Sequence, residues 1–140
     1  VVVFTHHPFF LFDKEILVYD ELSIYLLEND QEIRDIIEKN GNTKLVISGH
    51  NHTRRHERVN GIHYVGCPSI NTWPTMYTKF NIENGKFFFS HIAIKDSSKT
   101  EKSKKKIFTS DSHIVRILGS KEAAFNYYNR GSIKGKGVFS

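Results

Sequence analysis

The sequence contains a single cysteine and no long apolar run, and each scarcity excludes a class of protein. One thiol, Cys67, cannot form an internal disulfide framework, and it fits a reducing compartment. The longest apolar runs, such as residues 1–5 and 45–47, are far shorter than the roughly 20 residues that a membrane-spanning helix needs. No basic leader and no initiator Met precede the opening run. We therefore expect a cytoplasmic protein in which a segment upstream of Val1 is missing.

The composition indicates one globular domain whose charge is unevenly distributed. The 140 residues are 39% hydrophobic and 25% charged, which suits a single modest core. Residues 1–94 carry 9 Lys/Arg and 11 Asp/Glu, a net charge of −2, whereas residues 95–140 carry 11 Lys/Arg and 4 Asp/Glu, a net charge of +7. We therefore divide the chain into a mildly acidic body, residues 1–94, and a basic linker and C-terminal tail, residues 95–140.

The beginning of the chain has a strand–helix–strand pattern. Residues 1–5 are a continuous apolar, β-branched run that is typical of a buried strand, and residues 44–48 are a second short β run. Between them, residues 30–41 predict a helix that Asp30 caps, with isoleucines at helical spacing and a glycine at the end. Residues 13–29 are expected to form loop and helix. Strand, helix and strand in this order predict a parallel pair of strands joined by a crossover.

The middle of the chain predicts antiparallel pairing. Two hairpins are expected, with turns at Asn60-Gly61, between residues 56–59 and 62–65, and at residues 83–85, between residues 76–82 and 86–94. Parallel strands followed by hairpins predict an α/β fold with a mixed sheet, of the α+β kind.

The last third of the chain is less clearly patterned. Residues 96–106 contain no large apolar side chain, so we expect a solvated linker or loop there. Residues 107–140 contain more apolar side chains, and we expect them to form a strand and a short helix that pack on the rest of the chain. The glycine- and lysine-rich end, residues 131–140, should fray.

Histidines follow both predicted parallel strands. His6 and His7 stand at the end of the first, and His50 and His52 stand just past the second. Because parallel strands end at the same edge of a sheet, we expect His6, His50 and His52 to lie close together. Neutral imidazoles on neighbouring loops are common ligands of zinc, iron and manganese. Loop histidines are also ordinary polar surface residues, so this pattern alone leaves both interpretations open.

Two motifs resemble those of a known family. Thr5-His6-His7-Pro8-Phe9 and Ser48-Gly49-His50-Asn51-His52 are similar to the two C-terminal motifs of the calcineurin-like metallophosphoesterases, in order and in separation. The continuation through the first hairpin to Gly66-Cys67-Pro68-Ser69 is similar too. The resemblance covers roughly residues 1–94 and implies the C-terminal half of a four-layer αββα sandwich.

The resemblance also implies a hydrolase with a dinuclear metal centre of manganese, iron or zinc. His6 and His50 would bind one ion and His52 the other, with His7 as a neighbour. The ions would activate a water molecule for attack on a phosphodiester or phosphomonoester. We also expect Gly49 to let the backbone turn sharply between the strand and its histidines.

The N-terminal motifs of that family do not precede the His-His-Pro motif here: Gly-Asp-x-x-Asp and Gly-Asn-His-Asp/Glu do not occur, and Asp-x-His occurs only far downstream, as Asp111-Ser112-His113. Asp-x-His, Gly-Asp-x-x-Asp and Gly-Asn-His-Asp/Glu would supply the bridging carboxylate, an Asn ligand and the histidine that acts as general acid. No catalytic acid is therefore assigned within residues 1–140, and we expect this fragment to hydrolyse little or nothing alone. Its expected partners are a phosphate-ester substrate and the missing N-terminal half, or another chain that covers the sheet.

Polar residues beside the second motif are candidates for substrate binding. Asn51 could contact substrate or turn outward, and Arg54 and Arg55 could clamp a phosphate oxygen or remain solvated loop charges. His56 and His63 fall on the predicted hairpin strands, where cross-strand or surface roles are favoured over metal binding.

A second function class remains open. Lys102, Lys104, Lys105 and Lys106 form a basic cluster that could bind nucleic acid, although such runs are more often only solvated. The alternative to the enzyme is therefore a non-catalytic binding module, metal-containing or basic-tailed.

Overall fold

The computed structural model describes residues 1–9, 26–129 and 136–139, which form a mixed α/β structure. The chain divides into two compact units, Val1–Asn51 with Arg55–Cys67 and His52–Arg54 with Pro68–Ser140. The boundary predicted after residue 94 falls inside the second unit. The described elements are, in chain order, β1 (Val2–Thr5), α1 (Asp30–Asn40), β2 (Leu45–Ser48), β3 (Arg55–Val59), β4 (Ile62–Gly66), β5 (Met76–Glu83), β6 (Lys86–Ala93), α2 (Ser97–Ile107), α3 (His113–Leu118), α4 (Lys121–Asn129) and β7 (Lys136–Phe139).

The first unit contains a four-stranded sheet in the order β1-β2-β4-β3. β1 and β2 are parallel, as the strand–helix–strand pattern predicts, and β2 is also parallel to β4. β3 and β4 form the predicted hairpin, in which Val59 pairs with Ile62 across the turn. All four residues of β2 are buried, which explains why Leu45, Val46 and Ile47 form a continuous apolar run rather than an alternating pattern.

Helix α1 packs one face on the core of this unit. Ile37 is buried with Val46 and Tyr64, and Ile33 packs beside them, whereas Ile36 is 62% exposed. The spacing of four residues between Ile33 and Ile37 keeps both side chains on one face of the helix.

The ends of α1 are close to those predicted. Gly41 ends the helix in the left-handed conformation, with φ 68°, as expected. At the other end the capping position falls on Asn29 rather than on Asp30. Asp30 instead lies in the first turn, where its carboxylate accepts a hydrogen bond from Arg34 at 3.0 Å.

The second unit contains a three-stranded antiparallel sheet in the order β5-β6-β7. β5 and β6 form the second predicted hairpin, which turns through left-handed Asn84 and Gly85. β7 pairs with β6, although the sequence predicted a frayed end there. The Phe139 ring stacks on Phe89 at a centroid distance of 4.8 Å, and this long-range contact holds the strand.

A helix, α2, replaces the linker predicted at residues 96–106. Asp96 caps it, since its carboxylate accepts a hydrogen bond from the Lys99 backbone N–H at 2.9 Å. Lysine is a good helix former, and the absence of large apolar residues did not exclude a helix whose contacts are polar. The prediction of a solvated linker was wrong in its local structure.

The remaining sequence predictions concern the chain between β1 and α1 and the C-terminal third. Most of residues 13–29, predicted as loop and helix, lie outside the described residues. In the described part of residues 107–140, namely 107–129 and 136–139, the structure contains α3, α4 and β7, which is one helix more than predicted. Within the described ranges, no helix is long and apolar enough to cross a bilayer.

Candidate metal centre

The parallel pairing of β1 and β2 sets the position of the first histidine group. Thr5, the last residue of β1, pairs with Ser48, the last residue of β2. Beyond this pair the two segments stay together, because the Gly49 N–H donates to the His6 carbonyl at 3.1 Å. The Thr5 hydroxyl donates to the His7 carbonyl at 2.9 Å and holds the turn that follows β1.

Three imidazoles converge at this edge of the sheet. Ring nitrogens of His6, His7 and His50 all lie within 4.8 Å of one another. The His6 and His50 rings are 5.0 Å apart, and the His7 and His50 rings are 4.1 Å apart. His6 is exposed, whereas His7 and His50 are half-buried. Among the described residues no carboxylate belongs to this group, which we call the histidine cluster.

The donor set of the histidine cluster fits a first-row transition metal. His50 Nδ1 and His6 Nε2 are 3.2 Å apart. Two imidazole nitrogens on one tetrahedral zinc ion, each at about 2.0–2.1 Å, would lie about 3.3 Å apart. The same separation allows an N–H···N hydrogen bond between two neutral rings. The separation of the two nitrogens thus matches that of a metal-bound pair, and the rings would have to turn so that both lone pairs point at one ion.

The backbone around the second motif is strained at the histidines themselves. His50 and His52 have φ of 51° and 55°, in the left-handed region that residues with a side chain rarely adopt. The Asn51 N–H donates to the Gly49 carbonyl at 2.6 Å, which makes a three-residue turn centred on His50. Gly49 does not have a positive φ. The sharp turn that we expected at Gly49 is therefore made by His50. Such outliers cost on the order of 1–3 kcal/mol each and concentrate at functional sites.

His52, the third ligand implied by the family resemblance, belongs to the second unit. Its Nδ1 lies 2.9 Å from the Thr72 hydroxyl oxygen. When Nδ1 carries the proton and the hydroxyl accepts it, Nε2 has the lone pair that a metal needs, a common arrangement of metal-binding histidines. Its role as a metal ligand stays a prediction.

His7 is the residue that sequence reasoning undervalued. It was expected as a neighbour of the ligands, and the structure includes it in the histidine cluster. The sequence did contain a signal for this, because two consecutive histidines directly follow the first strand and precede a proline, so both stand at the end of the strand. Which nitrogen atoms meet depends on the turn, and periodicity does not encode that turn.

The predicted substrate-binding residues differ in burial. Asn51 Oδ1 is buried and has no hydrogen-bond partner among the residues that the structure describes. Arg55 is the first residue of β3 and is only 8% exposed, so it is not a solvated loop charge. Arg54 is half-buried in the second unit, where its positive charge acts on His91. Substrate binding by these residues stays a prediction.

Two further histidines form a pair on the first hairpin, as the cross-strand interpretation predicted. His56 Nε2 and His63 Nδ1 are 2.9 Å apart, and the rings stack at a centroid distance of 5.1 Å. Burial lowers the pKa of His56 to about 4, with smaller contributions from His63 and Arg58. Two rings that share one hydrogen bond need one nitrogen without a proton, so the two rings cannot both be protonated while this contact is kept.

His91 on β6 was not recognised from the sequence. Its Nδ1 lies 2.9 Å from the Thr78 hydroxyl, and its Nε2 is buried without a hydrogen-bond partner in the described part of the chain. Burial lowers the pKa of His91 to about 4, and the charge of Arg54 contributes in the same direction.

Comparison with known proteins adds no assigned relative. No protein-family model matches the chain, and a search of curated proteins found no match. The resemblance to the calcineurin-like metallophosphoesterases therefore depends on the two histidine motifs and on the continuation through the first hairpin to Gly66-Cys67-Pro68-Ser69.

Proposed function

We propose that this protein supplies the imidazole ligands of a metal-dependent phosphoesterase that hydrolyses phosphodiesters or phosphomonoesters. The observation that carries the proposal is the convergence of nitrogen atoms from His6, His7 and His50 within 4.8 Å at one sheet edge. This is the edge at which open α/β sheets bind ligands. The two motifs that bring these histidines together also resemble the metal-binding motifs of that enzyme class.

The roles of the residues follow from their chemistry. His6 and His50 would hold one divalent ion, manganese, iron or zinc, with His7 beside them, and His52 would hold a second. A bound divalent ion would supply a water molecule of lowered pKa and would offset charge on the phosphoryl oxygens. Because imidazoles are neutral ligands, they leave the full positive charge of an ion available to attract a phosphate. Asn51 Oδ1, buried without a partner in the described chain, can accept a hydrogen bond from substrate or contact an ion.

The histidine cluster is incomplete as a dinuclear centre. It contains no carboxylate among the described residues, and two divalent ions close together repel each other unless an anionic ligand bridges them. We therefore propose that the bridging carboxylate and the general acid come from a partner segment or partner chain. Residues 1–140 alone would then bind metal weakly.

Cobalt titration tests the metal site directly. Co²⁺ is a spectroscopic substitute for zinc, and its visible absorption reports coordination by nitrogen. His6→Ala and His50→Ala should each weaken Co²⁺ binding at least about tenfold, because each removes a direct ligand of the ion. His113→Ala, an exposed histidine of α3, is the matched control and should bind as the parent does. Parent-like affinity in the His50→Ala protein would contradict the proposal.

Hydrolysis of bis(p-nitrophenyl) phosphate in the presence of Mn²⁺ tests the reaction. Residues 1–140 alone should release little p-nitrophenol. A chain that also carries the family's N-terminal half, with its three motifs in place, should release much more, and His50→Ala should abolish the increase. Equal turnover by the two chains would contradict the proposed division of the ligands.

A further inference from the structure

The hydrogen bonds that join α2 to the other described residues of its unit lie along one face of the helix. The Thr100 hydroxyl lies 2.6 Å from the Thr75 hydroxyl. One turn further on, Ser103 Oγ accepts a hydrogen bond from the Trp73 N–H at 2.8 Å and donates to the Asn71 carbonyl at 3.0 Å. These contacts direct Thr100 and Ser103 toward the loop that precedes β5, so the orientation of the helix about its axis is fixed.

The opposite face of α2 is occupied by lysines. At about 100° per residue, the side chains of four lysines fall within an arc of about 120°. Lys102 and Lys105 point away from Thr100 and Ser103, whereas Lys99 lies at the edge of the arc, about 40° from Ser103. All four are exposed, and none forms an ion pair with another described residue. This lysine face consists of Lys99, Lys102, Lys105 and Lys106. Glu101, the one acidic residue of α2, lies outside the arc.

Helix stability does not account for the lysine face. Lys105 and Lys106 lie in the last turn, where the helix dipole favours cations. Lys99 lies in the first turn, where the dipole opposes a cation, and the acidic group beside it is the capping carboxylate of Asp96. Lys102 also has like charges three and four residues away, and such pairs destabilise a helix. The charges raise the free energy of the isolated helix and would be relieved by an anionic partner.

A cleft continues the lysine face at its C-terminal end. It has a volume of about 620 Å³ and is lined by three lysines, two hydroxyl-bearing residues and two carboxylates around the Phe108 ring. Its lysines are Lys104, Lys105 and Lys121, so Lys105 belongs to both surfaces. A volume in this range is typical of pockets that hold a small ligand the size of a nucleotide.

We propose that the lysine face and this cleft bind single-stranded nucleic acid through its phosphates, independently of the histidine cluster. The lysines recur about every helical turn, or about 5.4 Å, which suits a row of phosphates better than a single anion. A cleft with an aromatic wall accommodates a base or a nucleotide, whereas a membrane surface needs only a flat cationic face. Binding of this kind is independent of sequence and weakens steeply as salt is added.

Fluorescence anisotropy with a fluorescein-labelled oligo(dT) tests the proposal on the full chain. The variant changes Lys99, Lys102, Lys105 and Lys106 to Gln, and the matched control changes Lys39, Lys44, Lys79 and Lys86, which are also exposed, to Gln. The lysine-face variant should lose at least about tenfold in affinity at low salt. Its slope of log affinity against log salt should fall by about 3, at about 0.7 per lost phosphate contact. The control should lose less than about threefold in affinity, because its substitutions change only the long-range electrostatic field.

Three results would overturn the proposal. The first is an equal loss in both variants, which would mean that net charge alone governs binding. The second is no binding of oligo(dT) by the parent chain. The third is binding by the parent to vesicles that contain phosphatidylserine but not to oligo(dT). Far-ultraviolet circular dichroism establishes that both variants keep the helices.

Discussion

The histidines of this protein differ in what surrounds them, and their neighbours decide their chemistry. Those of the histidine cluster stand at a strand edge where one ring is exposed and two are half-buried. The His56–His63 pair lies on the hairpin, and His63 is only 6% exposed. Exposed rings can exchange a proton for a metal, whereas buried rings that are hydrogen-bonded to each other resist protonation. The same residue type therefore serves a candidate site in one place and stability in another.

Stability should depend on pH through His56 and His91. Both have pKa values near 4 in the folded chain and 6.5 when unfolded, so between these values the unfolded chain binds more protons. Their contribution to the free energy of unfolding should be complete above pH 6.5 and should be lost as the pH falls toward 4. In the double variant His56→Gln and His91→Gln, the melting temperature should decline less steeply over this window. Thermal denaturation followed by circular dichroism at several pH values measures the slope.

The exposed His113 of α3 provides the control for this comparison. His113→Gln leaves both buried rings in place, so it should keep the pH dependence of the parent chain. A double variant as acid-sensitive as the parent would show that other groups govern the acid response.

At the level of elements, β7 depends on a close contact with its neighbour β6. A Cβ atom at Gly137 would lie 2.6 Å from Phe89 Cε1 and 2.7 Å from Phe89 Cζ. Phe89 is 5% exposed and stacks on Phe139, so its ring has little freedom to move away. Glycine at this position is therefore a packing requirement rather than a requirement for a left-handed turn.

Substitution of Gly137 should weaken the second unit. Gly137→Ala should lower the free energy of unfolding by about 1–3 kcal/mol, which is typical of overpacking in a core. Val138→Ala, at a neighbouring position that is 50% exposed, should change it by less than about 0.5 kcal/mol. Urea denaturation of the two variants makes the comparison. Parent-like stability in Gly137→Ala would mean that the Phe89 ring moves aside without loss.

Helix α2 also depends on contacts with residues that are distant in sequence. The lysine-rich stretch has no apolar stripe of its own, and its contacts to the loop before β5 are hydrogen bonds that involve the hydroxyl groups of Thr100 and Ser103. The aromatic packing nearby comes from Trp73, whose ring lies 5.0 Å from Phe125 and 5.3 Å from Phe108. A segment can thus be helical because of residues that are distant in sequence.

At the level of the whole molecule, metal binding should be coupled to folding. An ion that binds only the folded arrangement of the histidine cluster stabilises it by mass action, by about 2.7 kcal/mol at a free concentration a hundredfold above its dissociation constant. Zn²⁺ or Mn²⁺ should therefore raise the melting temperature, and a chelator should reverse the rise. The variant with both His6→Ala and His50→Ala should show no such increase. An equal rise in that variant would place the stabilising ion elsewhere.

Much of the fold and part of the candidate site could be predicted because the signals are local. Residues 1–5 and 44–48 have the pattern of strands, and the helix between them predicts that the two strands are parallel. Parallel strands end at one edge, and this rule alone predicted that His6 and His50 would meet. The two Asn-Gly turns predicted both hairpins, because two adjacent residues with positive φ are needed there.

What the sequence by itself determined is thus the strands, α1, the hairpins and the shared edge of His6 and His50, since each follows from periodicity, capping or turn chemistry within a few residues. Only the tertiary structure decided that α2 is a helix, that β7 joins β6, and that His50 takes a left-handed backbone within the histidine cluster. These features depend on partners far along the chain, such as Trp73 for α2 and Phe89 for β7. Long-range packing selects one conformation where the local sequence permits several.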